Sequence, residues 1–182
     1  MISLDIILSN PKLKIKREST TQKLHPLQSC DIHSCHTDEL KKINRRQQEV
    51  KALQSLAKKH EWDVSIESIL QNDYETLILT EKNQKICWAN KAFTKMTGYP
   101  VSYALGKKPS FLQGEHTSAA DKKLIRQNIS KNKLFSGILL NYRKNKEAYL
   151  CKIDIFPLKN KSGNIAHFLA LEKEVYEPRR KN

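Results

Sequence analysis

Apolar residues recur at helical spacing through residues 37–60, where Leu40, Ile43, Val50, Leu53 and Ala57 form one stripe with Leu56 beside it. Thr37 is placed to cap that helix, Asp38 and Glu39 suit its positive start, and Lys58, Lys59 and His60 suit its negative end. After Trp62 a short helix is expected around residues 65–70. Residues 76–80 and 85–89 read as a strand pair joined by the polar stretch 81–84. Asn90 is a good N-cap for the next helix, which puts Ala92, Phe93 and Met96 on one face. Gly98 then closes it in the left-handed conformation and Pro100 keeps it from resuming.

A further helix is expected over residues 119–131, with Leu124, Ile125 and Ile129 on one side, followed by strands over 135–143, 148–158 and 165–175. Residues 159–164 make the turn between the last two. Strand parity adds a direction. Tyr149, Cys151, Ile153 and Ile155 alternate with Lys152 and Asp154, so the odd positions of that strand are predicted to face the interior of a single α+β unit.

Two stretches carry more than local grammar. Asn90-Lys-Ala-Phe93-Thr-Lys-Met-Thr97-Gly98-Tyr99 is followed, at a fixed distance, by Leu105-Gly106-Lys-Lys-Pro-Ser-Phe111-Leu112-Gln113-Gly114. Together, and with two strands, a block of helices and three strands in that order, they resemble the PAS superfamily and within it the light-oxygen-voltage (LOV) branch, over residues from about 72 to 175. The resemblance implies an α+β PAS fold: a five-stranded antiparallel sheet with helices on one face, here preceded by an N-terminal amphipathic helix.

It also implies an interior cavity lined by Asn90, Lys108, Ser110, Gln113, Ile125, Asn141, Cys151 and Glu172. Gln113 and Asn141 stand where LOV domains use a Gln and an Asn to hold the flavin ring. The other positions depart: Lys108 replaces an Asn, Pro109 the adduct-forming Cys, Ser110 a phosphate-holding Arg, Cys151 a second ring-binding Asn, and Glu172 a Gln. No cofactor is therefore expected, flavin (FMN or FAD) being the one that the resemblance leaves open, and LOV cysteine photochemistry is not expected. Lys108 and Glu172 are read as an ion pair closing the cavity, against a role for Lys108 in binding an anionic metabolite, or its plain exposure to solvent.

If Asn141 points inward, Ile138, Leu140 and Tyr142 point to the outer face, and so do Leu169 and Leu171. Such a face needs a cover. Leu40, Ile43, Val50, Leu53, Leu140, Tyr142, Leu169 and Leu171 are accordingly read as an interaction surface of a homodimer, with docking of the helix inside one subunit as the alternative.

Composition changes this picture little. Among 182 residues, 33 Lys and Arg against 19 Asp and Glu give a net charge of +14, which suits acidic partners or nucleic acid. The lysines are dispersed and not interleaved with aromatics, so nucleic acid is not the expected partner. No run approaches the ~20 apolar residues of a membrane span, and residues 1–8 lack the features of a signal peptide. Four cysteines fit a reducing compartment, with Cys87 and Cys151 as buried thiols, and the chain is expected in the cytoplasm.

Residues 1–36 are expected to be a flexible arm, 37–71 a helical extension, 72–175 the PAS unit and 176–182 a tail. Cys30, His33, Cys35 and His36 match no common zinc spacing, so no metal is expected. The helix over 119–131 has no His to hold a haem, and no catalytic motif appears. The function expected is that of a stand-alone, non-enzymatic PAS sensory module, gated by a small ligand and acting on an unidentified signalling protein. The alternatives are a flavin-binding light or redox sensor working without the cysteine, and a basic nucleic-acid-associated protein that uses the PAS unit to dimerise.

Overall fold

The amphipathic stripe folds as α1 (Cys30–Lys59), followed by the one-turn α2 (Ile66–Ile69), whose cap Ser65 accepts a hydrogen bond from Ser68 N. The computed structural model describes residues 30–176. The arm expected at residues 1–29 and the tail at 177–182 lie outside them, as do the side chains of residues 30–36 with their Cys and His group. Residues 30–36, expected as part of the arm, are helical: they contain neither Pro nor Gly, so nothing stops α1 before Cys30. The chain separates into two units, Met1–Leu40 and Lys41–Asn182. In the first, only the opening of α1 is described, and Leu40 there is exposed. The sheet, the other helices and the cavity belong to the second.

Five strands follow: β1 (Thr76–Glu81), β2 (Ile86–Ala89), β3 (Phe135–Tyr142), β4 (Ala148–Lys159) and β5 (Ile165–Val175). They form one sheet in the order β2-β1-β5-β4-β3, every neighbouring pair antiparallel. Between β2 and β3 lie α3 (Ala92–Thr97), α4 (Val101–Ala104), a 3-10 turn (Pro109–Leu112) and α5 (Ala119–Ser130). Gly98 does close α3, at φ +73°, through its N–H to Thr94 O. Asn90 does not cap it. Its side-chain amide is drawn instead to Glu49 Oε1 at 2.8 Å and Glu75 O at 3.1 Å, leaving Lys91 at the cap with no side-chain bond.

Alternation along the strands divides the core in two. On the inner face, Ile78, Ile86, Phe93, Ala104 and Leu112 pack together, and beside them Met96, Phe135, Leu139, Cys151 and Ile153. On the outer face, Leu77, Leu79, Leu158, Leu169 and Leu171 are sealed by Leu53, Trp62 and Ile66, with Val50, Leu56 and Ala57 partly buried around them. Much of the residue set read as an intersubunit surface is thus internal: Leu53, Leu169 and Leu171 are at most 1% exposed, because α1 lies on its own sheet. Leu140 and Tyr142 remain half-buried, and Ile43 and Ile138 are exposed. Cys87, expected as a buried thiol, is exposed on the edge strand β2, while Cys151 is buried.

Three polar clamps flank the leucine seam of α1. Glu49, 6% exposed, accepts from Tyr74 Oη at 3.0 Å and from Asn90, with Arg45 Nε at 3.6 Å. Past the other end, Asp63 N donates to Lys159 O at 2.8 Å and Lys161 N to Glu61 O at 3.0 Å. Trp62 Nε1 donates to His167 Nδ1 at 3.1 Å, and burial first and His60 second hold the His167 imidazole below its usual value. No described helix is long and apolar enough to cross a membrane.

Candidate functional site

A cavity of about 330 Å³ opens between the inner face of the sheet and the layer formed by the 3-10 turn and α5. Its floor is set by strand alternation. Glu172, Ala170 and Phe168 of β5 point into it, whereas Leu171 and Leu169 between them point to α1. Asn141 and Leu139 come from β3, Ile153 and Ile155 from β4, and Thr80 from β1. Its roof is set by helical spacing: Lys122, Ile125, Arg126 and Ile129 recur at i, i+3, i+4 and i+7 along α5. Because α5 roofs a cavity instead of a packed core, none of its residues is buried, and Leu124, expected on the apolar side, is exposed.

The turn after the 3-10 segment brings two amides together. Gln113 bridges antiparallel to Asn141, so the segment runs along the free edge of β3. It is sewn there by Thr117 Oγ1, which accepts from Gly114 N at 2.9 Å and donates to Leu140 O at 2.6 Å, and by His116 N donating to Tyr142 Oη at 3.3 Å. The Tyr142 ring lies against Gly114. A Cβ at that position would fall 2.3 Å from Tyr142 Cε2, so the close approach requires glycine. The bridge also covers part of an edge strand that would otherwise offer its backbone to another chain.

Electrostatically the cavity is polarised. Lys108 and Arg126 are exposed at its rim, and Lys122 Nζ donates to Gly114 O at 3.3 Å, so three cations gather at the mouth. At the floor, Glu172 is 3% exposed and burial pushes its carboxyl up to about 7. Its hydrogen-bond partner among the described residues is a weak one, the Cys151 thiol donating to Oε2 at 3.8 Å. That thiol is pushed up in turn, by burial first and Glu172 second. Thr76, directly across the β1–β5 ladder from Glu172, is fully buried with its hydroxyl unpartnered among the described residues.

Of the residues assigned to the cavity from sequence, Lys108, Ser110, Gln113, Ile125, Asn141 and Glu172 line it together. Asn90 does not, being held by Glu49, and Cys151 lies behind Glu172 in the packed core. The ion pair expected between Lys108 and Glu172 is not formed: the lysine stays hydrated at the rim while the carboxyl is sunk in the floor. Arg126, Lys122, Thr80 and Phe168 were missed. The α5 spacing from Ile125 and the alternation of β5 around Glu172 would have found three of them.

Comparison with known proteins places this arrangement. A 90-residue stretch, half of this chain, is 34% identical to the blue-light-activated histidine kinase of Brucella canis and spans 18% of that protein. A 108-residue stretch, 59% of the chain, is 32% identical to phototropin-2 of Oryza sativa subsp. japonica and spans 12% of it. The chain therefore matches less than a fifth of the length of either relative. Among solved structures, the dark state of the blue-light photoreceptor Aureochrome1 LOV superposes with a TM-score of 0.60 at 29% identity, covering 63% of this chain and 86% of that one. The PAS domain family model matches residues 75–177, more than half of the chain, and the protein belongs to the PAS domain family.

Proposed function

We propose that this chain is a sensory module, related to the LOV domains of blue-light photoreceptors, that binds a small anionic molecule in the cavity and reports its presence through α1. One observation carries the reading. β5 presents Phe168, Ala170 and Glu172 to the cavity and, at the intervening positions, Leu169 and Leu171 to the underside of α1. A ligand that moves or stiffens this strand acts on both faces, which is the differential contact that a population shift needs. The volume, about 330 Å³, falls within the range of roughly 300–1,000 Å³ usual for small-molecule sites.

The donor set argues against flavin as the occupant. Gln113 and Asn141 are side by side, but the floor offers a carboxyl paired only weakly by the Cys151 thiol, an acceptor when ionised, and the flavin ring edge is itself made mostly of carbonyl and imine acceptors. Pro109 on the cavity wall has no thiol to form an adduct, so photochemistry of the LOV cysteine type forms no part of this reading.

The test begins with absorbance and denaturing mass spectrometry of the purified protein, to identify a copurified small molecule. Hydrogen exchange is then compared between occupied and stripped protein. Exchange of amides in residues 41–59 is expected to slow on occupation; identical exchange in both samples would remove α1 from the signalling path. A flavin spectrum would replace this ligand class altogether.

The output surface we infer is the part of the outer face that α1 leaves open. There Ile138 is 54% exposed beside half-buried Leu140 and Leu150, and we assign to it a second copy of the chain. Sedimentation velocity is expected to show self-association that weakens in Ile138→Asp. A native monomer at high concentration, or a dimer indifferent to that change, would rule this face out.

A further inference from the structure

The polarity of the cavity specifies the kind of molecule it takes, if it is a ligand site as read above. Glu172 has two carboxyl oxygens at the buried floor of the pocket, and its partner among the described residues is a thiol at 3.8 Å, beyond the range of a strong bond. A buried acceptor left this poorly paired is costly and is relieved by any ligand group that donates to it. The unpartnered Thr76 hydroxyl lies across the ladder on the same face, and Thr80 lines the same wall. Asn141 and Gln113, neighbours across a backbone bridge, add amide donors and acceptors, and Phe168 supplies an aromatic surface. Glu172, Asn141 and Phe168 line the pocket from the sheet, whereas Lys108 and Arg126 are exposed to solvent at its rim and Lys122 reaches Gly114 O.

We propose that the cavity selects an anionic molecule with a planar head whose buried edge carries paired N–H donors, with Glu172 as their acceptor and Lys108, Lys122 and Arg126 holding the anionic end. A 2-amino-4-oxopyrimidine edge, as in guanine or a pterin, is the commonest chemistry of that description: its ring N–H and exocyclic amine lie side by side and match the two oxygens of one carboxylate. An adenine edge offers a ring acceptor where that pair needs a donor. Recognition by a buried polar group discriminates strongly, because the wrong head leaves the group unpaired.

Isothermal titration of the full chain with GMP, pterin-6-carboxylate, AMP and FMN tests this. GMP or pterin-6-carboxylate is expected to bind at least about tenfold more tightly than AMP and FMN. Glu172→Gln, which preserves side-chain volume, is expected to weaken the favoured probe by about tenfold while leaving AMP little changed and tightening FMN, to whose acceptor edge the new amide can donate. Arg126→Glu is expected to weaken all four alike. The inference is overturned if FMN or AMP binds as tightly as both donor-edge probes, if neither donor-edge probe binds, or if Glu172→Gln leaves the preference intact. Its failure is separable from that of the sensory reading: binding that loses head selectivity but still depends on Arg126 sinks the head assignment alone. Circular dichroism of each variant excludes a folding defect as the source of lost binding.

Discussion

Leu53→Ala is expected to destabilise the protein by roughly 3–4 kcal/mol, the range of a fully buried leucine whose site cannot collapse. Leu53 is 0% exposed and lies at the centre of the outer core, against a sheet face built from Leu77, Leu79, Leu169 and Leu171. The backbone on both sides is held: Glu49 is tied to Tyr74 and Asn90 before it, and the segment after α1 to Lys159 and His167 beyond it. The helix therefore cannot slide inward to fill the lost volume. Urea denaturation followed by circular dichroism reads the loss, and hydrogen exchange should show α1 opening ahead of the inner strands. A loss below about 1 kcal/mol would mean that the polar clamps, and not the leucine seam, hold α1 down.

The same contacts explain what could be read from the chain in advance. A period of 3.6 located the longer helices, β-branched and aromatic runs around a polar turn the first two strands, and the parity of β4 placed Tyr149, Cys151 and Ile153 inside, because along β4 the hydrophobic pattern and the final burial are the same fact. The direction of Leu169 and Leu171 followed from Asn141 on the same logic. What covers them did not follow: a leucine stripe is equally satisfied by its own sheet or by another subunit's, and it is the fold that puts Leu53 on top.

Polar residues were the harder class. Glu49 sits in an amphipathic helix among Arg45, Gln47 and Gln48 and gives no sign that it alone is buried. Its partners Tyr74 and Asn90 are distant in sequence, and Asn90 also satisfied the local requirements of an N-cap, so the local reading prevailed where a long-range bond decides. At the cavity the failure was of another kind. Lys122 and Arg126 look like ordinary solvated charges until Ile125 and Ile129 are known to face a void, and Lys108 and Glu172 satisfied a pairing rule whose distance condition no sequence contains.

The stability of Glu172→Gln relative to the native protein is expected to depend steeply on pH. Burial raises the carboxyl from an ordinary 4.5 to about 7, so the folded protein holds this proton more tightly than the unfolded chain does. The contribution to stability is therefore fully present below 4.5, falls as pH rises through 7, and above that is gone. The fall is worth about 3 kcal/mol, each tenfold change in proton affinity being about 1.4 kcal/mol. The groups around it do not reverse the sign: Cys151 and Tyr149 are acids themselves, Lys108 and Arg126 are exposed to solvent at the rim, and Lys122 is engaged with Gly114 O. Glutamine has nothing to titrate. Urea denaturation near pH 4 should find the two proteins within about 1 kcal/mol of each other, and near pH 8.5 the variant should have gained about 3 kcal/mol on the native chain. A difference that stays constant across that window would mean that Glu172 is hydrated or paired at neutral pH. It would also remove the desolvated, poorly paired state of the carboxyl on which the selection of an N–H donor head depends, so this measurement on the ligand-free protein bears directly on the binding proposal.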